Sequence, residues 1–513
     1  MPLAVVHSRG LVGIDAPAVS VEVHLSRGLP GFSIVGLPDT EVKESRDRVR
    51  SALLHSGFQF PNRRITVNLA PADLPKESGR FDLPIAVGIL AASAQLPRGG
   101  LDAVEMMGEL SLSGQMRPIR GALVMALALS RSAPARRLIL PRASAAEAAP
   151  AGYEGTRGAD SLREVWAHLA QGRMLEPPPA PAPGAAPDAA AGPGRGDGCD
   201  LTDVIGQQVA KRALEVAAAG GHSVLFSGPP GTGKSMLAHR LPGLLPPLDA
   251  QAALEAAAVQ SAAGVFAAER WGQRSFRAPH HTVSAVALAG GANPPKPGEV
   301  SLAHHGVLFL DELPEFRRDA LEALREPLET GRVTVSRAGR SADFPARFQL
   351  VAAMNPCPCG YLGSTRIGCR CAPAAIDRYR ARISGPLLDR IDISLQLPEL
   401  RAEELTNAQR GEASAAVAAR VAAARQRAHD RQGVINALLP AAQLERHCPL
   451  SRDASARLRQ ASEQLALSAR GHHRTLRLAR TIADLYGTPA IEAAHVTEAL
   501  TLRRDLRSRP TAG

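Results

Sequence analysis

The chain has 513 residues, 45% hydrophobic, 21% charged and only 3% aromatic, too long for one ordinary core and normal in composition for a globular protein of two or three domains. Its apolar runs, such as Ala86–Ala92 and Ala122–Leu129, are far shorter than a bilayer span. Met1–Arg9 lacks the basic-then-apolar order of a secretory leader, so no membrane partner and a cytoplasmic location are expected.

The formal charge of +11 admits an anionic partner. The 60 basic residues include only five Lys (Lys43, Lys76, Lys211, Lys234 and Lys296), however, a skew that coding bias in a GC-rich genome explains as readily as a polyphosphate ligand does. In chain order, Val19–Leu25 and Arg64–Leu69 alternate like half-buried strands. Val42, Val49, Ala52 and Leu53 recur at helical spacing within Glu41–Ser56, and further helices are expected over Leu83–Gln95 and Gly121–Ser130. Residues 1–172 thus read as one α/β domain. From Glu176 to Gly198 the sequence is mostly Pro, Ala and Gly, headed by Pro177-Pro178-Pro179. Such a stretch cannot bury enough apolar area to fold, so 173–199 is expected to be a semi-stiff linker.

Residues 200–398 carry the clearest chemistry. Val224–Ser227 reads as a short buried strand that runs into Gly228-Pro229-Pro230-Gly231-Thr232-Gly233-Lys234-Ser235 and then a helix. That segment fits G-x-x-x-x-G-K-[ST], in which glycines let backbone N–H groups turn onto phosphate oxygens at a helix N-terminus. Lys234 would reach the β- and γ-phosphates of ATP, and Ser235 would hold Mg²⁺. Val307–Leu310, read as the central strand, ends in Asp311, a Mg²⁺ ligand through water, and Glu312, which would polarise the attacking water. Gln349–Met354 is a further buried strand, followed by polar Asn355. Strands alternating with helices imply a doubly wound parallel sheet.

Beyond Pro398 the pattern is helical. Glu403–Arg431, Ala441–Arg446, Ser451–Leu467, Arg474–Leu485 and Ile491–Leu506 are expected to form an all-helical lid over 399–513. Four of the six Cys form two Cys-X-Cys pairs, Cys357/Cys359 and Cys369/Cys371. The intervening Gly-containing loop is short and pliable enough to fold four thiolates around one structural Zn²⁺. That ion would brace the loop between Asn355 and Arg390 and take no part in chemistry.

Longer motifs carry a resemblance. Phe276-Arg-Ala-Pro-His-His-Thr282, Pro295-Lys-Pro-Gly-Glu299, Leu302-Ala-His-His-Gly306 and Leu310-Asp-Glu-Leu-Pro-Glu-Phe316 resemble the magnesium-chelatase-like AAA+ proteins and, within them, the ComM/YifB group. Gly36-Leu-Pro-Asp39, Asn68-Leu-Ala-Pro-Ala-Asp73, Gly385-Pro-Leu-Leu-Asp-Arg390 and Ala479-Arg-Thr-Ile-Ala-Asp-Leu485 extend the likeness over nearly the whole chain. The resemblance implies a homo-hexameric ring with ATP sites between subunits. It implies Asn355 as first sensor, Arg390 as an arginine finger toward a neighbour, and Arg474 as second sensor on its own subunit's nucleotide, with Arg477 an alternative.

It also implies an insert over 275–300 and a hairpin over 332–350 turning near Ala338-Gly339. Val333 and Val335 alternating with Thr334 and Ser336 agree independently. Lys296, Arg337 and Arg340 would then be DNA contacts in a central pore. His280-His281 and His304-His305 lack the spacing of helical metal ligands, and a structural or strand-contacting role is expected.

The N-terminal domain resembles a Lon-protease-like (S5 domain 2-like), ChlI-type domain. Asp82 stands where that protease has its serine and Ser78 lies in the preceding loop, which argues against peptidase activity. The implied function is an ATP-driven DNA helicase that moves branch points in recombination or natural transformation. A chelatase subunit and a protein-remodelling ATPase are the alternatives, and the N-terminal domain favours DNA.

Overall fold

The computed structural model describes residues 3–37, 39–74, 76–179, 199–292, 295–337, 340–400 and 411–503. Most of the expected linker, the turn Ala338-Gly339, the first part of the expected helix Glu403–Arg431 and the end of Ile491–Leu506 lie outside the described residues.

The first domain is built on a seven-stranded sheet. Its strand order is Gly31–Val35, Arg64–Ala70, Ala18–Ser26, Leu3–Arg9, Val104–Met106, Arg137–Pro141 and Thr156–Ala159. Ala18–Ser26 pairs antiparallel with both Leu3–Arg9 and Arg64–Ala70, and the remaining pairs are parallel. The valines of Ala18–Ser26 fall on alternate residues, so Val19, Val21 and Val23 all point into the core.

Thr40–His55 begins where the Asp39 carboxylate accepts from the Val42 N–H at 2.8 Å, a standard N-cap. The Asp82–Ala92 helix is apolar all round and buried along its length, because it lies between that helix and the sheet. Gly88 is required there: a Cβ on it would stand 2.5 Å from Val23 Cγ2. The head of the expected linker belongs to this domain. Leu175 is buried, the Gly158 N–H donates to the Glu176 carbonyl at 3.0 Å, and Arg142 pairs with the Glu176 carboxylate at 2.6 Å.

The second domain holds a five-stranded, all-parallel sheet in the order Phe276–Arg277, Val307–Leu310, Gln349–Met354, Val224–Ser227, Ile393–Gln396. The central strand is therefore Gln349–Met354, in place of Val307–Leu310 as read from sequence. Phe276–Arg277, assigned to the insert, is an edge strand of this sheet. The hairpin pairs Arg332–Arg337 with Arg340–Pro345, Arg337 opposite Arg340, and so ends before residue 350. The insert contributes a small antiparallel pair, Gly290–Gly291 with Lys296–Pro297.

The lid is helical among the described residues: Ser414–Gln432, Leu444–His447, Arg452–Gln464, Ala469–Tyr486 and Ala493–Thr501 are its α-helices. Val421, Leu458, Leu478, Ile482 and Val496 share one core with Val224 and Phe226 of the sheet. Arg474 does not open its helix. Ser468 caps it, accepting from the Gly471 N–H at 3.1 Å, which puts Arg474 in the second turn.

Among the described residues the two domains touch at the Ala250–Ala263 helix and at the hairpin. Ala258 and Ala262 of the Ala250–Ala263 helix share a cluster with Val124, Met125 and Leu129 of the first domain. Beside them Ser261 donates to the Glu147 carboxylate at 2.5 Å, and the Gly121 N–H donates to the Ser261 carbonyl at 3.0 Å. At the second contact the Val12–Asp15 turn packs on the hairpin. A Cβ on Gly13 would stand 3.2 Å from Ala342 Cβ, and Ile14 packs against the core of which Val335 and Phe344 are part.

Candidate nucleotide site

Parallel strands put every carboxyl end on the same edge of the sheet, and the chemistry collects there. Val224–Ser227 leads directly into the loop Gly228–Ser235, and a helix opens at Lys234. Gly231 and Gly233 take φ of +79° and +86°, the left-handed region that a side chain disfavours. Such glycines let the loop curl so that its backbone N–H groups can face an anion. The first N–H groups of the following helix have no carbonyl of their own helix to bind, so the loop and helix together make a cradle for an anion.

The side chains fit the same ligand. Lys234 Nζ is buried and turned onto the carbonyls of Gly228 and Pro229, at 2.6 and 2.9 Å, and onto Asn355 Oδ1 at 3.2 Å. Burial lowers its affinity for the proton, and the Asp311 carboxylate opposes that shift. A cation held by neutral carbonyls gains from a phosphate that enters the loop. Ser235 Oγ donates to Asp311 Oδ2 at 2.6 Å, so the two groups expected to serve Mg²⁺ are already adjacent.

Glu312 follows at φ +54°, an uncommon conformation for a residue with a side chain. Its N–H bonds Asp311 Oδ1 at 2.9 Å, and its carboxylate pairs with His281 Nδ1 at 3.0 Å. Because Gln349–Met354 lies between the strands ending at Ser227 and Leu310, Asn355 emerges between the phosphate loop and the two carboxylates. Buried Tyr379 bonds the backbone of Asn355, and burial pushes its hydroxyl up to about 12.

Arg390 and Arg474 lie elsewhere. Arg390 precedes the Ile393–Gln396 strand, on the edge of the sheet opposite its own phosphate loop. Its guanidinium donates to the Pro386 carbonyl at 2.8 Å and to the Glu329 carboxylate. Arg470 holds the same carboxylate from the lid at 2.5 Å. Arg474 pairs with Asp392 at 3.2 Å, and the Asp392 N–H donates to the Ser223 carbonyl just before the Val224–Ser227 strand. Arg474 therefore sits on the far edge from the loop of its own subunit, away from the same-subunit contact expected of a second sensor. Arg477 is engaged by the Leu439 carbonyl at 2.8 Å.

Three residues that sequence reasoning did not select belong to the site, and a fourth, Glu329, holds the arginine on the opposite edge. His281 was considered for metal and instead holds Glu312. Gln207 Nε2 donates to the Thr232 carbonyl at 3.2 Å and the Pro398 carbonyl at 2.9 Å, tying the loop to the segment after the last strand. Tyr379 braces Asn355, and Glu329 holds Arg390. None carries a local signal, because each acts across a large gap in sequence.

His304 and His305 serve the Ala250–Ala263 helix. Both face Glu255, at 3.4 and 2.9 Å, and the Arg347 N–H donates to His304 Nδ1 at 3.0 Å. Burial lowers His304 to about 3. Burial alone would raise Glu255, but hydrogen bonds from His305, Gln251 and His304 outweigh it and hold the carboxyl at about 2. With Nδ1 accepting, His304 has its proton on Nε2, which makes this a hydrogen-bond network and not a ligand set.

In the first domain Asp82 is fully buried, held by Arg48 at 2.7 Å, by Ser45 and by the Leu110 N–H at 3.2 Å. Ser78 Oγ accepts from Arg80 at 2.9 Å, while Lys76 Nζ donates to the Pro71 carbonyl. Hydroxyl and amine are thus bonded to separate groups.

Among the described residues no helix is long and apolar enough to cross a membrane. Lys296 is exposed beside the hairpin, and a Cβ on Gly290 of its small strand pair would stand 2.9 Å from Val335 Cγ2. The insert and the hairpin are therefore packed into one ridge.

A parallel sheet with this strand order, a phosphate loop, an Asp-Glu pair two strands away across the strand that ends at Asn355, and a helical lid define a magnesium-chelatase-like AAA+ protein, a class whose fold implies ATP and Mg²⁺ and their hydrolytic use. Family profiles agree: residues 200–405 match "Magnesium chelatase, subunit ChlI", 21–144 match "Subunit ChlI of Mg-chelatase" and 411–503 match "Magnesium chelatase, subunit ChlI C-terminal". The chain is 50% identical over 509 residues to competence protein ComM of Haemophilus influenzae, covering 99% of this chain and 98% of that one. It is 49% identical over 506 residues to the uncharacterized protein YifB of Salmonella typhimurium, covering 98% and 97%. The magnesium-chelatase 38 kDa subunit of Acidiphilium rubrum is 31% identical over 182 residues, 30% of this chain and 52% of that one. The chain belongs to the ComM/YifB family of magnesium-chelatase-like proteins.

Proposed function

We propose that this protein is a ring-forming ATPase that drives movement of DNA, acting as a branch-migration helicase in recombination or natural transformation. The observation that carries the reading is the ridge formed by the Lys296 strand pair and the Arg332–Pro345 hairpin. The hairpin leads directly into Gln349–Met354 of the sheet that carries the ATP site, in a chain of formal charge +11. Basic ridges of this kind neutralise phosphate backbones without reading sequence. The full-length likeness to a protein named for competence supports the same reading.

In this reading Lys234 and the loop N–H groups hold the phosphates, and Ser235 and Asp311 hold Mg²⁺, which neutralises charge on the phosphates. Glu312 orients the attacking water, with Asn355 fixing its position. His281 restrains Glu312 from the base of the DNA-facing insert, which gives DNA a physical route to the hydrolytic group. Arg390 serves the loop of a neighbouring subunit, since its own lies on the other edge of the sheet, so the active unit is an oligomer, a hexamer by family resemblance. The first domain acts as a Lon-like scaffold that braces the hairpin.

The test is ATP turnover of the full chain with no DNA, single-stranded DNA, duplex and a four-way junction. Stimulation by DNA, greatest with the junction, is expected. Turnover indifferent to all three sinks the proposal. The chelatase reading is kept because the likeness to the 38 kDa subunit is real but covers only 30% of this chain. It would require turnover to respond to a porphyrin and Mg²⁺ instead.

A further inference from the structure

The segment between Asn355 and the Pro373–Arg380 helix contains a cluster that ATP chemistry does not use. Cys357, Cys359, Cys369 and Cys371 bring their sulfurs within 4.8 Å of one another. Three of the six separations are 3.4 Å for Cys357–Cys359, 3.6 Å for Cys357–Cys369 and 3.7 Å for Cys359–Cys369. A disulfide needs about 2.05 Å, so these sulfurs are not paired covalently. A tetrahedral ion with Zn–S bonds of about 2.3 Å sets its sulfurs about 3.8 Å apart, close to what is seen.

The backbone is arranged for the same purpose. The Leu362 N–H points at Cys357 Sγ at 3.3 Å and the Cys371 N–H at Cys369 Sγ at 3.4 Å. Such N–H···S contacts orient thiolates and spread their negative charge. Cys357 is buried and the other three are half-buried, so four sulfurs close the site and leave no position for substrate or water.

The position of the cluster gives it a consequence. A Cβ on Gly360, in the turn after the first Cys pair, would stand 3.1 Å from the Pro230 ring and 3.9 Å from Asn355 Cγ. The cluster's loop therefore rests on the phosphate loop and on Asn355 together. At its outer end the Thr365 N–H and hydroxyl bond Glu399 at 3.0 and 3.2 Å, and Arg366 bonds the Leu400 carbonyl at 2.6 Å. Gln207 links the adjacent Pro398 back to Thr232. Both sides of the phosphate loop are thus held through this one knuckle.

We infer that Cys357, Cys359, Cys369 and Cys371 bind one structural zinc ion in a closed tetrathiolate site that clamps the phosphate loop and Asn355 in position. The metal stands on the sulfur geometry alone, whereas the clamp also rests on the nucleotide reading of Gly228–Ser235. Nucleotide affinity should therefore depend on the metal, beyond the bracing of the loop between Asn355 and Arg390 expected from sequence.

The full chain, purified without added metal, should contain about one zinc per chain. Its four cluster thiols should resist a thiol reagent until the protein unfolds. Cobalt exchange should give the spectrum of a tetrahedral tetrathiolate. Cys369→Ser with Cys371→Ser should lose the zinc, while Cys199→Ser with Cys448→Ser keeps it. Losing the order of one preorganised contact corresponds to about a tenfold weaker affinity for a fluorescent ATP analogue. Extracting zinc from the wild-type chain with a chelator should produce that weakening, and zinc re-addition should reverse it, which needs no variant to fold. A zinc-free native protein whose four thiols react as fast as in the unfolded chain overturns the site, as does iron in its place. Zinc whose reversible removal leaves nucleotide affinity unchanged overturns the clamp.

Discussion

Glu329 offers a measurable handle on the arginine that would complete a neighbour's site. In the isolated subunit its carboxylate holds the buried Arg390 guanidinium and also pairs with Arg470. Glu329→Gln keeps the shape and one acceptor but removes the charge. A hydrogen bond between charged groups contributes about 1.5–3 kcal/mol. Glu329 is half-exposed, and solvent screening brings the estimate to about 1 kcal/mol. That shifts the balance between held and released Arg390 roughly fivefold. If Arg390 must leave Glu329 to reach the next subunit's ATP, Glu329→Gln should raise turnover by up to about fivefold, with nucleotide affinity unchanged.

The assay is steady-state ATP hydrolysis over a range of protein concentrations, beside Arg390→Ala, which should bind ATP and not hydrolyse it. Mixing Arg390→Ala with Lys234→Ala should restore part of the activity, since each supplies what the other lacks at a shared interface. If Glu329→Gln instead falls to the level of Arg390→Ala, Glu329 positions the arginine and does not restrain it. Unchanged turnover refutes the latch as well.

Lys234→Ala should abolish nucleotide binding in an equilibrium titration, whereas Glu312→Gln should bind ATP normally and lose about 10²–10⁴-fold in turnover; wild-type turnover by the latter would remove Glu312 from the chemistry. Replacing Lys296, Arg337 and Arg340 together by Ala should abolish stimulation of ATP turnover by DNA while basal turnover persists, and DNA binding by the native chain should fall steeply as salt rises. A triple variant that unwinds branched DNA normally would contradict the ridge as the contact surface. His304 titrates at about 3 in the folded chain against about 6.5 unfolded, so the unfolded chain binds the proton first. The stability supplied by neutral His304 should be complete above about pH 6.5 and lost as pH falls toward about 3; thermal melts should record that slope, and His304→Gln should flatten it.

What sequence made legible was whatever is contiguous. The phosphate loop, Asp311-Glu312 and the Cys pairs each concentrate their chemistry in a few adjacent residues, and a buried apolar strand directly precedes the phosphate loop and Asp311. The strands Phe276–Arg277 and Ile393–Gln396 were too short for alternation to register, and the true central strand follows only from the pairing order. The start of the Ala469–Tyr486 helix was hidden because Gly471 and two adjacent His residues depress helix propensity just after the Ser468 cap. Charge pairs such as Glu312 with His281 and Asp392 with Arg474 depend on which long side chains meet after folding, and no local pattern encodes that. The second of these carried Arg474 away from the role that family likeness suggested.

The Val12–Asp15 turn gives the hairpin a fulcrum. A two-stranded ribbon fixed only at its base would bend when pulled at its tip, and the load would dissipate in its own flexing. With Gly13 seated against Ala342 and Phe344, the ribbon is propped part-way along its length by a different domain. A side chain at Gly13, where φ is +63°, would push the prop away. With the prop in place, a force applied at the tip would be divided between the ATPase sheet and the N-terminal sheet, so the first domain would set the stiffness of the ribbon without touching ATP.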